Sequence, residues 1–399
     1  MHGPFLQAHA THPDGRMALA LVAAQIDAQR AARPGFAATL GLIYLTDALA
    51  QQAADIIEEA QQRWPGVQFA GTVGVGVCAS GVEYDQEPAL AMLLMHLPRE
   101  QFRCFHGRQP LAGDDVWTAL VHADPSTPDL PELLDELANR TETRYLFGGL
   151  TASRSRSLQW SANEVFAAGL SGVAFMDGVT VISRVTQGCQ PLGPTRHVTE
   201  AERNVAITLD GQPALPLLLA DAGVSLDHPR EAMQRLQGVL VGLTDANDDA
   251  LGRGGQFGAD TRVRHLIGFD PARDAVAVAG EITPGMQLSF CDRHVEAARR
   301  DLVRICAEIR EEVEAEADQA ALLTERAEGG PAARQIAGAI YVSCSGRGGA
   351  HFGGPSAELR TVRQALGDVP LVGFFAAGEI ARHHLYGYTG VLTVFVGDA

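Results

Sequence analysis

The sequence predicts an α/β protein of mixed α+β type. It is read as two modules of repeated β-α-β-β units, with mixed sheets stacked and flanked by helices. Three observations carry this. Nearly continuous apolar runs such as Leu40-Gly-Leu-Ile-Tyr-Leu45 mark strands covered on both faces. A glycine-marked strand enters a polar loop at corresponding places three times, at Gly71, Gly148-Gly149 and Gly373, as weakly diverged repeats would show. The 399 residues, 46% of them apolar, are enough for two or three domains with large cores.

Taken in order, residues 1–35 give a loose head and a helix from about Gly15 to Arg30, stopped by Pro34-Gly35. After the strand at 40–45, Thr46-Asp47 opens a helix that Pro65-Gly66 ends. Phe69-Ala-Gly-Thr-Val-Gly-Val-Gly-Val-Cys78 is a glycine-rich strand and turn, and Ala89-Leu-Ala-Met-Leu-Leu-Met95 returns as a strand. The order then recurs: a strand at 117–122, a helix at 130–139, a strand at 144–150 and a polar loop at 151–163. Strands at 165–170, 172–176 and 180–185 follow, the last two joined at Asp177-Gly178. Segments 239–243, 262–267 and 275–279 are expected to form a third variant, and 340–343, helix 356–366 and the strands beyond it a fourth. A module boundary is expected at 222–236. A long amphipathic helix is expected over about 292–328, with Leu302, Ile305, Cys306 and Ile309 on one face.

Composition excludes several function classes. The net charge of −17 argues against nucleic acid or an anionic membrane as partner. Every one of the 31 basic residues is arginine. No lysine is therefore present for a Schiff base or a P-loop, and anions must be met by Arg forks or backbone N–H groups. The first residues lack a charged leader and an apolar core, no stretch approaches a membrane span, and the six cysteines form no C-x-x-C pair. A cytoplasmic, disulfide-free protein is the expectation. The final strand lies at the end of the sequence, so any output is expected to pass through a separate signalling protein such as a histidine kinase or cyclase. A homodimer is permitted.

No hydrolase, zincin, deaminase or nucleotide fingerprint occurs. Cys344 is the one nucleophile candidate, near Arg347, with His351 the nearest base. It leaves a thiol enzyme as an alternative to a binding protein. Arg347, on the loop Cys344-Ser-Gly-Arg-Gly-Gly349, offers a fork for a ligand carboxylate or an ion pair with Glu379. Thr151, Ser153 and Arg154 form a similar polar loop, and Arg264 lies on a strand. These loops are expected to line one cleft between the modules. His383 and His384 are expected to point to opposite faces of an extended segment.

Gly373-Phe-Phe-Ala-Ala-Gly378-Glu379 with its apolar final strand resembles the end of the FIST C-terminal module. Tyr341-Val-Ser-Cys-Ser-Gly-Arg-Gly348 resembles that module's Cys-x-x-Arg loop. Phe147-Gly-Gly-Leu-Thr-Ala152 and Thr186-Gln-Gly-Cys-Gln-Pro-Leu-Gly193 resemble the FIST N-terminal module. The resemblance implies modules at 36–228 and 229–399 after an N-terminal segment 1–35. It also implies a non-enzymatic sensory protein of bacterial signal transduction that binds a small molecule, with amino acids as the proposed class. The expected ligand set is Thr151, Ser153, Arg154, Arg264, Cys344, Ser345, Arg347, Gly373, Phe374, Phe375, Gly378 and Glu379. Some members of such families are haem proteins that respond to nitric oxide. Haem held by one axial histidine is therefore the second reading, with His122, His265, His351, His383 and His384 as candidates.

Overall fold

One arrangement occurs three times along the chain. In the computed structural model, which describes residues 5–111, 113, 115–246, 248, 257, 260–324 and 334–398, each repeat opens with a strand: Leu40–Thr46, Thr118–Ala123 or Arg334–Cys344. A helix follows, Ala53–Arg63, Leu130–Ala138 or Ala357–Leu366. The next strand, Gln68–Gly74, Leu146–Leu150 or Leu371–Ala376, runs parallel to the first. After a hairpin, a last strand runs antiparallel to the first: Ala89–Met95, Leu170–Phe175 or Thr389–Asp398. The parallel pairs lie buried between a helix and the protein interior, which is why their sequences are apolar almost throughout.

Each hairpin crosses to a neighbouring repeat. Gly76–Ala79 of the first pairs with Leu371–Ala376 of the third. Gln159–Ser161 of the second pairs with Gln68–Gly74 of the first. Glu379–Arg382 of the third pairs with Leu146–Leu150 of the second. The three resulting sheets have six strands each and the same order: an edge strand, the last, first and second strands of one repeat, and the borrowed hairpin. The edge strands are Leu6–Thr11, Phe102–His106 and Thr180–Gln187.

The glycines recognised in the sequence hold equivalent places. Gly71 pairs with Ile43, Gly148 with Val121, and Gly373 with Tyr341. A Cβ at these glycines would lie 1.8, 2.0 and 1.7 Å from the carbonyl oxygens of those same partners. No side chain fits at such distances, so the approach of the two backbones selects glycine.

Several expectations change. The loose head is a strand from Leu6, paired with Ala89–Met95; its Leu-Gln-Ala-His-Ala alternation is that of a half-covered edge. The long helix spans Val295–Thr324, and the remainder of the expected 292–328 range past 324 lies outside the described residues. The glycine-rich loop after Cys344 closes into a short helix, Gly348–His351. The segments at 239–279 are no β-α-β-β variant, because every pairing among them is antiparallel and no helix separates them among the described residues.

The chain divides into two compact units, Met1–Val185 with Leu302–Leu385 and Thr389–Ala399, and Thr186–Asp301 with Tyr386–Tyr388. The first holds the three repeats and is drawn from both halves of the chain. The second is a closed ring of six antiparallel strands. Gln287–Arg293 pairs with Arg196–Glu202, then follow Val205–Leu209, Ala275–Val278, Arg262–Asp270 and Val239–Thr244, which pairs back to Gln287–Arg293. Closure leaves no open edge in the ring. Its core joins Val198, Val241, Leu288 and Phe290 to Leu215 and Leu218 of helix Ala214–Ala222.

Candidate functional site

The three parallel pairs end at one place. At their carboxyl ends Ala152 N–H donates to Val73 O, Ala377 N–H to Leu150 O, and Leu150 N–H to Gly378 O. Gly74 closes against Phe374 and Phe375, where its Cβ would lie 3.0 Å from Phe374 Cβ. Around this junction Val75, Ser153 and Cys344 are half-buried, and Arg154, Ser345, Gly346 and Ala377 are exposed. In parallel α/β sheets the carboxyl ends of strands, at changes of strand direction, are where ligands bind.

Directly beneath the junction lies a layer of equivalent residues, one set from each sheet. Tyr44, Thr72 and Gln159 stand in register on the first, His122, Gly149 and Glu379 on the second, and Val342, Phe374 and Val77 on the third. Tyr44 stacks on Phe374 with ring centroids 5.0 Å apart, and its Oη lies 3.2 Å from His122 Nε2. Thr72 and Thr151 hydroxyls meet at 2.9 Å. Burial pushes His122 down to about 3, so its ring is neutral, and its Nδ1 has no hydrogen-bond partner. One pleat nearer the junction, Thr46, Asp124 and Cys344 close the three first strands. None of Tyr44, Thr72 or Asp124 stands out in the sequence, since each sits inside or beside an apolar run, and His122 stands out only as a candidate haem ligand.

Arg347 is buried and its Nε donates to Glu358 at 2.8 Å, so the carboxylate it meets is Glu358 and not the expected Glu379. Glu358 is fully buried and also accepts from Tyr341 Oη at 2.7 Å, Ser343 Oγ at 3.0 Å and Gly348 N at 2.9 Å. The guanidinium lies 5.1 Å from the Phe352 ring centroid. These contacts fix the loop that carries Cys344 and Ser345. They also neutralise the cation expected to activate the Cys344 thiol. Arg154 is the exposed cation of the junction. Its Nε and Nη2 each lie 2.7 Å from the Asp47 carboxylate, which also accepts Arg154 N–H at 2.8 Å. Burial works to raise Asp47, but the hydrogen bonds and charge of Arg154 outweigh it and hold the carboxyl below its ordinary range.

Glu379 sits in the buried layer. Its Oε2 accepts from Thr389 N at 3.1 Å and Thr389 Oγ1 at 2.7 Å, while Oε1 has no partner. Desolvation pushes it up to about 8, against the opposing effect of Thr389 and Arg347. The folded state therefore holds a proton that the unfolded state has released above its ordinary 4.5. Stability should fall as pH rises between these values, by up to about 1.4 kcal/mol per unit. Glu379→Gln keeps an acceptor for Thr389 and should flatten this slope in urea titrations across that range; an unchanged slope would place the proton elsewhere.

The structure thus gathers Thr151, Ser153, Arg154, Cys344, Ser345, Phe374, Phe375, Gly378 and Glu379 in or just beneath one junction. Arg347 stands behind it as support, and Gly373 serves strand packing. Arg264 belongs to the second unit. Asp47 and Glu358 are additions. The sequence marks Asp47 only as a helix opener and Glu358 only as a helix residue.

Haem would need an axial nitrogen facing an apolar slot. His122 is enclosed by Tyr44 and Phe374. His265 Nε2 lies 2.6 Å from Tyr388 Oη, and His351 packs edge-on to Phe352. The His383 and His384 rings lie together, centroids 3.8 Å apart. The expected opposition of those two fails because the segment is not extended there: His383 is a turn residue between strands Glu379–Arg382 and His384–Tyr386.

Comparison with known proteins shows the family. The model of the FIST N domain matches residues 39–212 and that of the FIST C domain residues 224–382. A protein of Mycobacterium tuberculosis, described as uncharacterized, is 27% identical, the similarity covering 97% of this chain and 98% of the relative. One of Mycobacterium bovis, described likewise, is 29% identical over 97% of each chain.

Proposed function

The chain belongs to the FIST family, whose domains are associated with signal transduction and small-ligand sensing, and on that premise we propose that it binds an amino acid or small carboxylate at the junction of the three strand pairs. The observation that carries this reading is the convergence of Ser153, Arg154, Cys344 and Ser345, from segments matched by both domain models, over one layer of buried polar groups. Arg154 takes the ligand carboxylate through the edge of the guanidinium that Asp47 does not engage, with Ser153 and Ser345 as further donors, and Asp47 holds Arg154 in place. Arg347 and Glu358 hold the loop in place. A ligand touching more than one repeat shifts the population of their arrangements, and a separate signalling protein reads the change.

A thermal-shift panel of amino acids and short carboxylates, followed by calorimetry, tests the site. Arg154→Ala should weaken binding by about 1.5–3 kcal/mol, the worth of a charged hydrogen bond. Cys344→Ala should bind with little change, since no thiol chemistry is involved. A panel without any shift, or unchanged affinity in Arg154→Ala, would count against the reading.

A further inference from the structure

The helix Gly15–Ala31 is apolar on two faces. Its inner face, Ala18, Leu19, Val22, Ala23 and Ile26, is buried. Its outer face carries Met17, Leu21, Ala24 and Ala28, all exposed, with Met17 at 51% and Leu21 at 45%. Two of its polar side chains turn back to the edge strand: Gln25 Nε2 donates to His9 O and Gln29 Nε2 to Gln7 O, each at 2.8 Å. The outer stripe has the alternating four- and three-residue spacing of a coiled-coil seam. A surface helix normally shows solvent a polar face; one apolar on both faces is built for cover on both.

We propose that the cover is the same helix of a second copy, packed antiparallel across a two-fold axis. In that register Met17 faces Ala28 of the second copy and Leu21 faces its Ala24, so each large side chain meets a small one. The charges agree with the same register. Arg16 comes within two positions of Asp27 of the second copy, and Arg30 within one of its Asp14, all four residues being exposed; within one chain Asp27 lies 3.7 Å from Arg30 and Asp14 caps the helix at Met17 N. A parallel pairing would set Met17 against Met17 and like charges against each other. The two-fold arrangement uses one self-complementary patch and closes on itself.

The test is sedimentation velocity of the full chain over a range of concentrations. A reversible species of twice the 42.3 kDa chain mass is expected, with dissociation on the order of micromolar because one helix pair is a small interface. Leu21→Glu and Ala24→Glu, both at exposed positions, should each weaken it at least about tenfold, with unchanged circular dichroism. Arg16→Asp should weaken it, and adding Asp27→Arg should restore it. A chain that stays monomeric to its solubility limit, or a dimer indifferent to Leu21→Glu and Ala24→Glu, would overturn the proposal.

Discussion

Replacing Gly373 with alanine is expected to cost about 4 kcal/mol or more, at the extreme of single substitutions. The added Cβ would lie 1.7 Å from Tyr341 O and 2.7 Å from Tyr341 C. Both atoms are backbone, in the interior of a parallel pair that spans Ala339–Leu371 to Cys344–Ala376, so no rotamer change relieves the clash. The strands would have to part, and with them the stacking of Phe374 on Tyr44. Gly71→Ala and Gly148→Ala should behave alike, with added strain from backbone angles of φ +152° and +139°. Urea denaturation of the three variants gives the check. A loss under 1 kcal/mol at all three sites would mean that the close approaches do not exist as described.

Glu358→Ala is the second large effect. It removes the acceptor of Tyr341, Ser343, Arg347 and Gly348 at once and takes from the buried guanidinium of Arg347 the carboxylate that its Nε meets. Stranding one member of a buried pair costs about 3–5 kcal/mol. The double change Arg347→Met with Glu358→Met should cost clearly less than the single one, because the stranded charge is gone. If the double variant proves less stable than Glu358→Ala, the pair itself, and not the stranded charge, is what the loop depends on.

The repeats are legible in the sequence because their cause is local. A strand too close to its neighbour for any side chain must show glycine, and Gly71, Gly148 and Gly373 do. The strand exchange is invisible, because Gly76–Ala79 and Glu379–Arg382 read as hairpins whichever sheet they join. The six-stranded ring is missed since its strands, taken singly, look like those of the repeats. Only their antiparallel pairing tells otherwise. At the site, the loops at 151–154 and 344–347 stand out by polarity. Glu358 does not, because a glutamate in the first turn of a helix ordinarily faces water, and here the four donors around it come from 341–348 by folding alone. Arg347 is legible as important, but its partner is not.

The measurement that bears most directly on ligand sensing at the junction is hydrogen exchange of the full chain, with and without a saturating mixture of amino acids and short carboxylates. Slowed exchange is expected at 151–155, 344–347 and 376–379, in segments from two repeats together. Protection confined to the six-stranded ring at 186–301, or no change anywhere, would contradict it.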